Sequence, residues 1–395
     1  MVDKRMEGIL IAIFIALVFF LLTQLIPPFY QWKFWKNLQT QKIYNEIQKH
    51  ILATEKGILK LGNISIEQII PLYVFPTPDR ALTSIDVSTE FREEEKIISK
   101  ELSDLKYTYL QEEIEKARQK NQNIDNNLSY SLDSVGSERV LRDNVRIHNL
   151  ILKFSPTDFY KFVMINLALD KPILERGSGD KVSIRDAYRL SANEIDPDHL
   201  EKLPVHLRFG TNTVVVTKEN MIVLSARSGR QYIVPGGSND FWNTHISVAE
   251  GMLRPTDQNQ KGRPDPFSTV IRGLKDELSL KADIDFSKND IKFLALYLDI
   301  KRLQPIGVFL LKIEMPFEKI VERRPVAPDR TENKFLFPLP FHTKDVYKLL
   351  KNECCYQYRP LNKKCYMVSN QARASLSLSL FYDYSLEEIM KDFEV

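Results

Sequence analysis

Cysteine is nearly absent from this 395-residue chain: Cys354, Cys355 and Cys365 are the only three. Adjacent cysteines bridge each other poorly, and no histidines stand around them at metal-ligand spacing. A disulfide framework and a zinc site are therefore unsupported, and reduced thiols in a cytosolic setting are the simplest reading. A charge excess is missing too. Lys and Arg number 55 against 52 Asp and Glu, for a net charge of +3, which gives no support for a protein that coats DNA or RNA. No P-loop is present, and no Gly-x-Ser-x-Gly elbow follows a strand, so those two chemistries drop out. His148, His199, His206 and His342 are isolated and receive no role.

A further absence is local. Between Gly8 and Trp32 there is no charged side chain. As a helix this run would be roughly 37 Å long, enough to cross a hydrocarbon core of about 30 Å with some tilt. Phe29, Tyr30, Trp32, Phe34 and Trp35 crowd its far end, where amphipathic rings favour the headgroup layer. Small residues for signal cleavage are lacking, so residues 8–32 are predicted to be an uncleaved transmembrane helix. Lys33, Lys36, Lys42 and Lys49 follow the span and outnumber Lys4 and Arg5 before it, which places the larger C-terminal part in the cytoplasm. One span can form a pore only in an oligomer.

Residues 33–120 read as a helical connecting region. Leu38, Ile43, Ile47, Ile51 and Leu52 recur at mostly helical intervals, and the prolines between 71 and 78 break that helix. A second helix is predicted over 89–120, with Thr89 as N-cap and Glu90, Glu93, Glu94 and Glu95 in its first turns. Phe91, Ile98 and Leu105, with Leu102 and Tyr109, trace a short heptad seam. It fits either contact between copies or packing on the chain's own domain. The Asn- and Ser-rich stretch 121–138 reads as a linker. Residues 146–154 and 161–167 have the apolar density of strands and would add a β-rich extension to the last part of the chain.

That last part, 139–395 with a core of about 203–395, carries the chemistry. Thr213-Val-Val-Val-Thr217 and Met221-Ile-Val-Leu224 read as a strand pair. A Pro235-Gly-Gly237 turn, the cluster Phe241-Trp-Asn-Thr-His245 and a helix-like segment Arg272-Gly-Leu-Lys-Asp-Glu-Leu-Ser-Leu280 follow. Strands at 293–298 and 306–313 and a helix near 371–382 complete it.

Strand pair, glycine turn and a helix bearing Arg272, Asp276 and Glu277 together resemble a Nudix module. The resemblance implies an α+β chain whose C-terminal part is an α/β/α sandwich. In that family clustered carboxylates on one helix face hold Mg²⁺ against a pyrophosphate. Arg272, Leu274, Asp276, Glu277 and Leu280 match the motif, whereas Gly273 stands at its first helix acid and Ser279 at its closing glycine. The upstream half is recovered with Gly251 as the glycine and Asp257 as the acid, at the cost of about seven inserted residues within 254–265. If the module hydrolyses, Glu277 and Asp276 are the catalytic candidates, with Asp257, Asp276 and Glu277 as ligands of Mg²⁺. Losing one acid points to impaired or absent hydrolysis.

Other residues suit an anionic, base-containing ligand. The nucleotide-binding candidates are Arg227, Arg230, Trp242, Asn243, His245 and Arg272, with Arg208, Arg254 and Arg263 nearby. A guanidinium fork fits phosphate oxygens, and an indole can stack on a base. Trp242 as core and His245 as a structural histidine are the plain alternatives.

One span followed by a degenerate Nudix-like domain is similar to the membrane-anchored, SMODS-associated Nudix-like effectors of bacterial cyclic-oligonucleotide antiphage (CBASS) systems. That resemblance implies a homo-oligomer in the inner membrane that binds a cyclic nucleotide second messenger and disrupts the membrane, with no nucleic acid polymer as partner. Two other readings are an active membrane-tethered Nudix hydrolase of a nucleoside diphosphate derivative, and a scaffold with no small ligand.

Overall fold

In the computed structural model, residues 57–61, 63–74, 81–119, 125–142, 145–175, 179–227, 244–330, 333–352, 354–359 and 362–393 are described. The predicted span 8–32 lies outside them, and among the described residues no helix is long and apolar enough to cross a membrane.

Among its described residues, the region read as a helical connection holds strands as well as a helix. It holds β1 (Ile58–Leu61), β2 (Ile64–Glu67), β3 (Ile69–Val74) and β4 (Val87–Phe91) ahead of one helix, α1 (Lys100–Gln119). Thr89 is therefore no N-cap: it sits in β4 and donates its hydroxyl to Pro264 O at 2.6 Å. The acids after it lie in an extended segment that docks through side chains. Arg92 pairs with Asp133 at 2.9 Å, Glu95 with Lys161, and Lys96 donates to Leu200 O at 3.2 Å. The heptad seam turns inward. Leu102, Leu105 and Tyr109 are buried, and the two leucines belong to the unit's own core.

The supposed linker is also a strand from Leu128 onward. β5 (Leu128–Arg142) pairs antiparallel with β6 (Val145–Asp158), and β4 lies parallel on the other side of β6. A boundary at 139 would cut β5 in two. Residues 161–167 are helical rather than extended: a turn Phe159–Lys161 runs into a π-helical turn Phe162–Asn166. A small hairpin follows, β7 (Pro172–Glu175) with β8 (Lys181–Ser183).

The main sheet is mixed and, among the described residues, eight-stranded. β9 (Gly210–Val216), β10 (Met221–Arg227), β13 (Lys292–Asp299) and β14 (Gln304–Lys312) stand where the apolar runs predict them. They are joined by β11 (Thr244–Ile246), β12 (Val248–Gly251) and β15 (Asn333–Pro340). β3 adds to the edge of β13, so the module begins some seventy residues before 139, inside one compact unit, His50–Val395.

Two helices cover the sheet on opposite sides. α2 (Pro266–Leu278) is capped by Asp265, which accepts Phe267 N, and starts with proline at its first position. Phe267, Val270, Leu274 and Leu278 give it a buried stripe at helical spacing. It ends at Ser279 in the left-handed region, φ 56°, with Leu280 N bonded to Leu274 O. The serine thus keeps the conformation that a glycine adopts without strain. After α3 (Phe317–Arg323) and α4 (Thr343–Asn352) come a hairpin, β16 (Cys354–Arg359) with β17 (Asn362–Met367), then α5 (Asn370–Asp383) and α6 (Leu386–Asp392). α5 is buried along residues 372–381, and Ser375, Ser377 and Ser379 each return a hydroxyl to the carbonyl four residues earlier. Asn212 of β9 donates to Ser375 at 3.1 Å, while Thr211 and Thr213 pair with Glu250 and Val248 under α2. Alternation along one strand puts α5 and α2 on different faces.

Near the extended 92–96 segment, His206 is 1 % exposed and makes no directional hydrogen bond, although Nε2 lies 3.3 Å from Glu95. Burial, with Lys161, Lys96 and Arg92 nearby and Asp158 opposing, pulls its pKa down to about 4. A depressed histidine leaves the fold fully stable above pH 6.5 and weaker as pH falls toward 4, because only the unfolded chain takes up the proton there. Urea unfolding at pH 7.5 and pH 5 should differ by about 2 kcal/mol more in the wild type than in His206→Leu. Equal differences in the two proteins would show that His206 is not held neutral.

Candidate functional site

The site grows from a fork in the sheet. β9 and β10 meet at the hairpin pair Val216 and Ile222 and then diverge. The strand 244–251 enters the gap. Its first half, β11, pairs with β10, and its second, β12, with β9, so the chain crosses over at Ser247. A crossing strand cannot place every backbone group in a ladder, and buried ones need other partners. Glu277 of α2 supplies one: its Oε1 accepts Ala249 N at 2.9 Å. Asn333, opposite Arg227 in β15, donates Nδ2 to Glu277 Oε2 at 2.8 Å and to Ser247 O at 3.4 Å. Both acceptors are oxygens, which fixes the orientation of the Asn333 amide.

One turn earlier on α2, Arg272 is enclosed by acids. Nε and Nη2 reach the two oxygens of Asp257 at 2.9 and 3.0 Å, Nη1 reaches Glu250 at 2.8 Å, and Nη2 also donates to Gly251 O at 2.7 Å. Burial alone would lower its pKa, but the bonds to Asp257 and the charges of Glu250 and Asp257 raise it above the ordinary arginine value. Asp257 is fully buried and accepts Leu253 N and the Thr256 hydroxyl as well. The pairing of Arg272 with Asp257 closes the 252–265 loop onto the helix. Arg272, expected at a nucleotide, has its fork committed inside the protein.

Gly273 has a packing reason. A Cβ there would lie 2.5 Å from Glu250 Cγ and 2.8 Å from Val248 Cγ1. Glu250 and Val248 occupy the space that any side chain at 273 would need.

These contacts test whether the acids suit Mg²⁺. Both oxygens of Asp257 hold Arg272, and both oxygens of Glu277 accept N–H donors. Only Asp276 retains open oxygens, with a 4.0 Å ion pair to Arg272. Among the described residues no three acidic, histidine or cysteine side chains are grouped to hold a metal. The expected set Asp257, Asp276 and Glu277 does not fit the ion, which needs carboxylate oxygens turned toward one point.

The other expected ligand contacts are divided. Arg227 ends β10 with its backbone opposite Asn333. Its side chain, like Arg230, Trp242, Asn243 and the Pro235-Gly-Gly237 turn, lies outside the described residues. His245 is separated from Arg272 by the sheet. It faces α5, where Nε2 meets Gln371 Oε1 at 3.3 Å and Gln371 passes a hydrogen bond to Asp299 at 2.7 Å. Sequence reasoning overlooked Glu250 and Asn333. Glu250 stands directly before Gly251, a signal available in retrospect, whereas Asn333 carries none.

No family model matches the sequence, and no curated protein matches it. Two solved structures show a distant likeness. A MutT/nudix family protein from Enterococcus faecalis matches at 9 % identity and TM-score 0.27, over 44 % of this chain and 60 % of its own. DR0079 from Deinococcus radiodurans matches at 12 % identity and TM-score 0.25, over 37 % of this chain and 73 % of its own. This chain thus spans under two thirds of the Enterococcus protein.

Proposed function

We propose that this chain is a membrane-tethered receptor with a Nudix-like module that has given up hydrolysis. It binds a cyclic nucleotide second messenger and, in a homo-oligomer at the bacterial inner membrane, triggers membrane disruption that kills or arrests an infected host. The membrane and antiphage parts of this reading rest on the uncharged run 8–32 and on the resemblance of its combination with the module. The single observation that carries the loss of hydrolysis is the use of Asp257, Glu250 and Glu277 as struts for Arg272 and the crossing strand. Carboxylates already engaged by protein donors are poorly placed to surround a metal and a pyrophosphate as well.

A ligand shifts such a protein only by favouring one arrangement over another. A route toward the N-terminal side is available in the β1–β2 hairpin, which is tied to the C-terminal helices. Asn63 donates to Tyr347, Arg373 to Ser65 O, and Asn370 to Glu67 O. The test is calorimetric titration of the full chain in detergent with cyclic di- and trinucleotides. Arg227→Ala is expected to weaken binding by about tenfold or more without loss of the fold. Unchanged affinity in that variant would remove Arg227 from the site.

A further inference from the structure

We propose that Arg208 is the anchor of a phosphate subsite on the far side of Gly251 from Arg272. The proposal deepens the receptor reading by assigning a contact for the ligand's phosphate.

Arg208 precedes β9 and is held from three directions. Its Nε donates to Ser129 Oγ at 3.0 Å. Its guanidinium carbon lies 5.1 Å from the ring centre of Phe159 and 5.6 Å from that of Phe162, the two rings of a stacked pair. The third wall is Gly251. A Cβ there would fall 2.3 to 2.5 Å from Nη2, Nη1 and Cζ, so the missing side chain makes the room that the fork occupies. Plane and position are thereby set, while Nη1 and Nη2 meet no acceptor among the described residues.

Arg208 is half-buried, and a guanidinium so enclosed ordinarily has a carboxylate or phosphate against its fork. The acids nearest to Arg208, Glu250 and Asp257, are already bonded to Arg272. Burial, helped by the charge of Arg272, outweighs their attraction and draws the pKa of Arg208 down to about 10. Counter-charge is therefore short at Arg208. A pre-aimed fork with two open Nη groups matches two oxygens of a phosphate. Asp257 and Arg272 keep their own pairing when such a ligand binds.

Two substitutions test this in the full chain in detergent. Arg208→Lys keeps the charge and the apolar stem but removes the fork, and Gly251→Ala pushes the fork aside without changing charge. The wild type should bind inorganic phosphate, seen as a rise in Tm and by calorimetry, with acetate clearly weaker. Each variant should lose phosphate affinity by about tenfold or more. Phosphate binding that is absent from the wild type, matched by acetate, or unchanged in Arg208→Lys would overturn the subsite. A cyclic nucleotide panel run alongside separates the two claims. Equal nucleotide binding by wild type and Arg208→Lys refutes the subsite and leaves the receptor standing. Arg208-dependent phosphate binding without any nucleotide binding supports the subsite and removes the receptor.

Discussion

Arg272→Leu should cost about 3–5 kcal/mol of stability, the range for breaking a buried ion pair by removing one partner. Leucine matches much of the volume, so little of the loss would come from a cavity. The loss would come from Asp257, fully buried, and from Glu250, which would keep their charges without the guanidinium that holds them. Arg272→Lys should recover only part, because an ammonium cannot serve both oxygens of Asp257 and Glu250 and Gly251 O together. Urea unfolding of the three proteins measures it. A leucine variant within about 1 kcal/mol of the wild type would mean that Arg272 is a surface-type pair kept for a ligand.

Gly273→Ala separates helix propensity from packing by the sign of its effect. Propensity alone says that alanine should stabilise α2 by about 1 kcal/mol. The contacts say otherwise, since the new Cβ would meet Glu250 Cγ, clamped by Arg272, and the stiff Val248 side chain. A net loss of about 1–2 kcal/mol is expected, overpacking exceeding the propensity gain. Placing an acid there with Gly273→Glu should cost more. Adding Glu250→Ala to that variant should return part of the loss, as contacting residues couple. A more stable Gly273→Ala protein would refute the close approach of α2 and β12.

What could be read in the sequence follows the range of each signal. β9, β10, β13 and β14 announce themselves through local apolar period, whereas the expected helix segment 272–280 misses the start of α2 at Pro266, capped by Asp265. β5 was hidden because Ser129 and Ser131, beside the buried Tyr130 and Leu132, are buried too, while Leu128 is exposed. Ser131 accepts Leu207 N and Ser129 accepts Arg208 Nε, so polarity there does not mark a linker. The run 161–167 has no period that distinguishes strand from helix, and its π-turn depends on packing of Phe162 and Asn166. Thr89 followed by acids imitates a helix start, but those acids face cations far along the chain, such as Lys161.

The site was legible to the same depth. The count from Gly251 to Asp257 identifies the acid that Arg272 grips. No local pattern says that Glu250 fills the place vacated at Gly273, or that Asn333 braces Glu277 from 56 residues away. These are facts of tertiary contact. They turn a motif that reads as a worn catalytic box into a frame around a crossing strand.

The most direct measurement is to incubate the full chain in detergent with Mg²⁺, cyclic di- and trinucleotides and linear nucleoside diphosphate derivatives, following binding by calorimetry and products by chromatography. The account predicts stoichiometric binding of a cyclic nucleotide and recovery of every compound intact. Mg²⁺-dependent cleavage that disappears in Glu277→Gln would contradict it.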